Sequence, residues 1–263
     1  MTRGVILFAV DTETRSYTDL ARYCAAKITK FLNLPVTLVT DKKITDPAFD
    51  HVITIDAVQE QTRYINGVSE QWKNFQRYRA YELSPYDETI LLDTDYICAS
   101  DRLLTLFDMN KNFMCHKHRM YLGIQDATVD TEIFGTNMDM YWATVVYFKR
   151  SPEAQAIFEM MRTIQTNYQH YAKIYKFTAQ YRNDYAITIA INAVYGHAAD
   201  NEVEIPWRLI NSEFSTHVTS LGNDSYELSF ERNIDGIDKR FKITTYKQDL
   251  HILNKDALLE MIK

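Results

Sequence analysis

Over its first hundred residues the chain alternates apolar runs of strand length with amphipathic runs of helical period. Val5–Val10 reads as a continuous buried strand that stops at Asp11. Tyr17–Leu32 follows as a helix with Leu20, Tyr23, Cys24, Ile28, Phe31 and Leu32 on one face. Val36–Thr40 and His51–Ile55 are two more strands. Gln71–Leu83 is predicted helical, with Trp72, Phe75, Tyr78 and Tyr81 on its apolar face and Ser84-Pro85 as its stop. Thr89–Leu92 is a fourth strand and runs into Asp93-Thr94-Asp95. Such alternation predicts an α/β fold with a mostly parallel central sheet flanked by helices. Sheets of this kind bind ligands beyond the carboxyl ends of their strands, where Asp11 and the Asp93/Asp95 pair are expected to lie.

The second half is more mixed. Tyr141–Phe148 is a predicted strand, and Ser151-Pro152 opens a helix running to about Gln169. Asp184–Val194 is a predicted buried helix and Glu204–Arg208 a turn-like stretch. Tyr226–Arg232 and Arg240–Tyr246 alternate in hydrophobicity around Asp235-Gly236, which predicts a small C-terminal hairpin before a last helix. With 263 residues, Gly 7 and Pro 5, there is no room for a flexible linker. The expectation is one domain over 1–263, with an α/β first half (1–110) and a mixed second half (111–263).

A hydrophobic fraction of 46 % with 24 % charged residues is that of a globular protein. The net charge of −6 gives no general attraction to nucleic acid or anionic lipid. The first apolar run is too short for a signal peptide or a membrane span. Cys24, Cys98 and Cys115 are odd in number and far apart, which reads as buried reduced thiols in a cytoplasmic protein.

Strand alternation would place Asp93 and Asp95 on the same side, a few ångströms apart. Two hard carboxylates suit Mn²⁺ or Mg²⁺ rather than zinc. A bare Asp-x-Asp is also an ordinary strand-to-loop boundary, so the flanking residues decide.

Those flanks carry a resemblance. The stretch Phe75 to Asp95, in which a helix with a basic residue leads through Tyr86-Asp87 into an apolar strand ending in Asp-x-Asp, resembles the core of GT-A glycosyltransferases. It is most similar to the glycogenin and lipopolysaccharide galactosyltransferase branch. The resemblance implies a metal held by Asp93 and Asp95 that bridges the diphosphate of a nucleotide sugar, with UDP as the nucleotide. Arg77 stands where that branch carries a basic residue for the diphosphate. Ala9-Val10-Asp11-Thr12 with Tyr17 resembles the nucleoside seat, and Thr94 falls within the same nucleotide-sugar set. Arg182-Asn183-Asp184-Tyr185 takes the place of a Gly-Asp-Gln motif whose Asp lies near the transferred sugar, which gives Asp184, with Arg77, a catalytic role. Ile205-Pro206 through Asn211 is similar to an acceptor-side segment. His251 resembles the third metal ligand and Lys255 a late phosphate contact.

Two departures stand out. Trp142 and Thr144 occupy the places of an Asn-x-Gly motif, so the acceptor pocket must differ. The late Lys follows His251 by four positions rather than the family's six. The branch retains anomeric configuration, and the same is expected here. The acceptor is open between a glycan, a lipid-linked intermediate, a protein side chain and a hydroxymethylated base of phage DNA; a phage-encoded origin also fits the style of the sequence.

Three rival readings come from other classes. Asp11-Thr12-Glu13 copies the Asp-x-Glu strand of metal-dependent 3′–5′ exonucleases, which needs an antiparallel hairpin next rather than a long helix. A dehalogenase-type phosphatase reading of Asp93-x-Asp95 lacks the Thr or Val that should stand where Ile97 does. A non-catalytic nucleotide-binding module is the third. The basic stretch Lys111 to Arg119 reads as a solvated loop, or as a contact for a polyanion or acceptor.

Overall fold

The computed structural model describes residues 1–56, 61–65, 68–122, 132–133, 138–177, 180–196 and 199–263. Its centre is a six-stranded sheet in the order His51–Thr54, Val36–Thr40, Arg3–Phe8, Glu88–Leu92, Trp142–Lys149, Phe113–His116. The first four strands are parallel and the last two pairings are antiparallel. The sheet is therefore mixed and mostly parallel, as the alternating pattern predicts. Its central strands are buried on both faces, which is why they read as continuous apolar runs rather than alternating ones.

Helices cover this sheet. Tyr17–Leu32 packs on Val36–Thr40 and Arg3–Phe8, and Asn183–Tyr195 packs on Trp142–Lys149 with Pro152–Thr166 against it. The first helix begins where Ser16 accepts a hydrogen bond from the Asp19 amide at 3.2 Å and ends at Asn33 in the left-handed region. Both bounds agree with the sequence expectation. Two strands beyond residue 110 belong to the central sheet, so the two halves of the sequence share one core. The three cysteines are buried and free. Among the described residues no helix is long and apolar enough to cross a membrane.

A second sheet sits at the carboxyl end of the first. Its order is Tyr96–Ile97, Leu250–His251, Leu209–Asn211, Arg119–Tyr121. It joins four distant parts of the chain, and its Tyr96↔His251 and Asn211↔His251 pairings tie the C-terminal region to the acidic turn. The C-terminal hairpin runs Ser225–Ile234 to Ile237–Tyr246, turning at Asp235-Gly236 with φ of 54° and 80°. Those are the positive angles a type I′ turn requires.

Four expectations are corrected. Gln71–Leu83 is not one helix: Val68–Trp72 is a strand paired with Gln61–Ile65, and helical geometry starts only at Arg77. Trp72 instead packs edge-on against Phe75 at 4.4 Å. Lys111 to Arg119 is not a solvated loop, because Phe113–His116 is a fully buried strand of the central sheet. Asp93 and Asp95 do not alternate along a strand. The strand ends at Leu92 and the pair flanks a turn closed by the Tyr96 amide on the Asp93 carbonyl at 3.2 Å. Finally, the C-terminal hairpin has a third strand, His217–Gly222.

Candidate metal and nucleotide site

The turn after Leu92 sets the position of both carboxylates. The Asp93 amide donates to the Thr144 carbonyl at 2.9 Å, and the Asp95 carbonyl accepts from the Ile252 amide at 3.0 Å. The second of these bonds brings the preceding residue, His251, against the pair. Its Nε2 lies 3.4 Å from Asp95 Oδ2 and 3.9 Å from Asp93 Oδ2. One ligand atom from each of Asp93, Asp95 and His251 falls within 4.8 Å of the others, and this is the group of metal-ligating type found among the described residues. The donor set fits a divalent cation of the Mn²⁺ or Mg²⁺ kind: two hard carboxylate oxygens and one imidazole, converging at the end of a sheet.

His251 is prepared for that role. Its Nδ1 is 2.9 Å from Asn211 Oδ1, and since the amide oxygen can only accept, Nδ1 carries the proton and Nε2 keeps its lone pair toward the carboxylates. The strand pairing of Asn211 with His251 places the two side chains together.

Two cations neutralise the acids. The Arg77 guanidinium, almost fully buried, donates through Nη1 to Asp93 Oδ1 and through Nη2 to the Ala143 carbonyl at 2.7 Å. Lys255 Nζ lies 2.7 Å from Asp95 Oδ2. Burial alone would push both carboxyl groups up. At Asp95, Lys255 and His251 overcome it and hold the group well below the usual carboxylate range. At Asp93 burial prevails over Arg77, and the group is raised. Lys255 is raised despite burial because Asp95 lies beside it.

The cluster forms part of the wall of a cavity of about 520 Å³. Val10, Tyr17 and Thr94 share that wall, as do Asp184, Trp142, Thr144 and Asn211. Asp184 Oδ1 accepts from the Ala143 amide at 3.0 Å and its Oδ2 from Arg182 at 3.0 Å. Asp11 and Thr12 do not line the cavity. Asp11 accepts from the Thr18 amide at 2.8 Å and pairs with Lys42, and Thr12 Oγ1 accepts from the Arg15 amide at 3.1 Å. Ala9 is fully buried and does not line the cavity. Asp11 and Glu13 belong to no metal-type cluster among the described residues.

The sequence did not single out Trp72, Asn74, Tyr121, Gln180 or Asn183 as cavity residues. Arg119 had only its place in the basic stretch, yet its guanidinium sits 3.6 Å from the Trp142 ring centroid.

No family model matches this chain, and no curated protein matches it. Solved structures similar to it include the glycosyltransferase GlyE of Streptococcus pneumoniae TIGR4, at 12 % identity over 78 % of this chain and 45 % of that one, with a TM-score of 0.43. An active-site mutant of LgtC is similar at 14 % identity over 71 % of this chain and 69 % of that one, TM-score 0.47. Mouse xyloside xylosyltransferase 1 in its apo form is similar at 12 % identity over 78 % and 84 %, TM-score 0.43. The chain spans under half the length of the pneumococcal protein.

Proposed function

We propose that this protein is a single-domain GT-A-type glycosyltransferase that moves a sugar from a nucleoside diphosphate, UDP on the family resemblance, to an acceptor hydroxyl. The observation that carries the reading is the convergence of Asp93, Asp95 and His251 at the carboxyl end of the sheet, with Arg77 and Lys255 beside them. Three anionic or neutral metal donors flanked by two cations form a site matched to a cation and a diphosphate together.

Asp93, Asp95 and His251 would hold Mn²⁺ or Mg²⁺, which neutralises charge on the leaving diphosphate when bound. Arg77, fixed by Asp93 and the Ala143 carbonyl, supplies a stationary positive charge beside the diphosphate. Lys255 supplies a second one. Asn211 keeps His251 in the tautomer that offers Nε2. Tyr17, Val10 and Thr94 line the nucleoside side. Asp184, oriented by the Ala143 amide and Arg182, faces the donor sugar. The remaining wall sets the rings of Trp72, Trp142 and Tyr185 among the amides of Asn74 and Asn183, a combination of flat apolar faces and polar groups that suits a carbohydrate acceptor.

Calorimetric titration of UDP with and without Mn²⁺ tests this. Wild type should bind UDP at least about tenfold more tightly when the metal is present. Asp95→Ala should lose that metal-dependent binding by about 100-fold, a loss on the order of the several kcal/mol that a metal's charge provides. Metal-independent binding, or no binding of any nucleoside diphosphate, would sink the proposal.

A further inference from the structure

Each acid of the cluster has its own cation, and the two cations are held differently. Arg77 is 3 % exposed and doubly anchored, on Asp93 and on the Ala143 carbonyl. Lys255 opens the last helix, Lys255–Ile262, and its side chain is 22 % exposed. Its Nζ reaches Asp95 Oδ2 at 2.7 Å, and that oxygen also lies 3.4 Å from His251 Nε2. Lys255 therefore sits on the same Asp95 oxygen that His251 faces, the oxygen a shared cation would need. An ammonium and a dication on one carboxylate oxygen repel each other strongly where little water screens them. Arg77, packed in the interior and held by the Ala143 carbonyl as well as by Asp93, has nowhere to swing, but a lysine on a flexible four-carbon stem at the cavity edge can move once another cation takes its place on Asp95.

We propose that Lys255 is a built-in counter-ion that stands in for the metal on Asp95, gives way when a divalent cation binds, and is taken up by the diphosphate, so that metal and nucleotide bind cooperatively. The inference rests on the nucleotide-sugar reading above. It adds an order of events that ligand identity alone does not contain: metal without nucleotide leaves Lys255 with no anion, and nucleotide without metal leaves it committed to Asp95. Coupling of this kind is reciprocal, so each ligand tightens the other by the same factor.

The test follows free Mn²⁺ by electron paramagnetic resonance during titration of the full chain, with and without UDP. Wild type should bind Mn²⁺ weakly alone and about tenfold or more tightly with UDP, the range typical of linked sites. Lys255→Met should bind Mn²⁺ alone about tenfold more tightly than wild type, and UDP should add little further. Lys255→Arg should restore the coupling, which a merely stabilising ion pair has no reason to produce. If Lys255→Met does not fold by circular dichroism, Lys255→Gln takes its place in the same titration. A Lys255 variant that binds Mn²⁺ no better than wild type, or keeps the full UDP enhancement, overturns the inference and leaves the nucleotide-sugar reading standing. A wild-type protein that binds Mn²⁺ in neither condition overturns both.

Discussion

His116 ends the strand Phe113–His116 at 1 % exposure, and neither of its ring nitrogens has a hydrogen-bond partner among the described residues. Burial, with a smaller contribution from His251, lowers it to about 3. A histidine held neutral in the fold takes up a proton on unfolding below about pH 6.5, so the unfolded chain binds more protons from there down to about pH 3. Its contribution to stability is thus full above that window and is lost progressively as pH falls through it, by about 1.4 kcal/mol for each pH unit. Denaturant unfolding of wild type and His116→Phe at pH 7 and pH 5 checks this. Wild type should lose about 2 kcal/mol more than the variant between the two. Equal losses would show that His116 is already protonated or already solvated in the fold. In sequence His116 reads as part of the basic stretch Lys111 to Arg119, because a histidine between Cys115 and Lys117 looks polar, and only the sheet hides it.

At the scale of elements, what the sequence revealed depended on how locally each element is determined. Tyr17–Leu32 was legible to the residue because Ser16, the apolar stripe and Asn33 all act within a turn or two. The central strands were legible because burial on both faces leaves no alternation to misread. Gln71–Leu83 failed for the opposite reason. Trp72, at helical spacing from Phe75, instead ends a strand because Gln61–Ile65 pairs with it, and that partner lies outside any local window. The candidate site divides the same way. Asp93, Asp95, Arg77, His251 and Lys255 were found through motif and chain order. Asn74 and Gln180 reach the cavity from segments whose spacing carries no signal.

One contact between elements is open to direct test. A Cβ on Gly4 would lie 2.3 Å from the Tyr86 ring, whose hydroxyl is 2.8 Å from Thr37 Oγ1. Gly4→Ala should cost about 1–3 kcal/mol through overpacking, read as a lower denaturation midpoint. Tyr86→Leu in the same chain should recover part of the loss. Additive penalties would mean the crowding lies elsewhere.

For the whole molecule, the distribution of the core separates what the site needs from what it does not. Tyr226, Leu228, Leu250, Ile252 and Leu258 form a second cluster beneath the C-terminal strands, close to the residues that carry His251 and Lys255. The far end of the hairpin, where Ile234 is 38 % and Ile237 61 % exposed, lies outside it. A short Gly-Ser insertion between Asp235 and Gly236 should therefore leave metal-dependent UDP binding within about twofold of wild type and shift the melting temperature by only a few degrees. A loss of binding would show that this exposed turn helps to position the donors.

The strand pairing of Tyr96 with His251 has a consequence for how the protein comes into being. During synthesis the acidic turn leaves the ribosome with more than half of the chain still to be made, and it waits without its imidazole until residue 251 has emerged and paired. A nascent or prematurely ended chain thus displays two carboxylates and no third donor. On the function proposed above, a chain ended before residue 251 should hold a divalent cation at the acidic turn more weakly than the finished one, because the pairing that delivers the imidazole is missing.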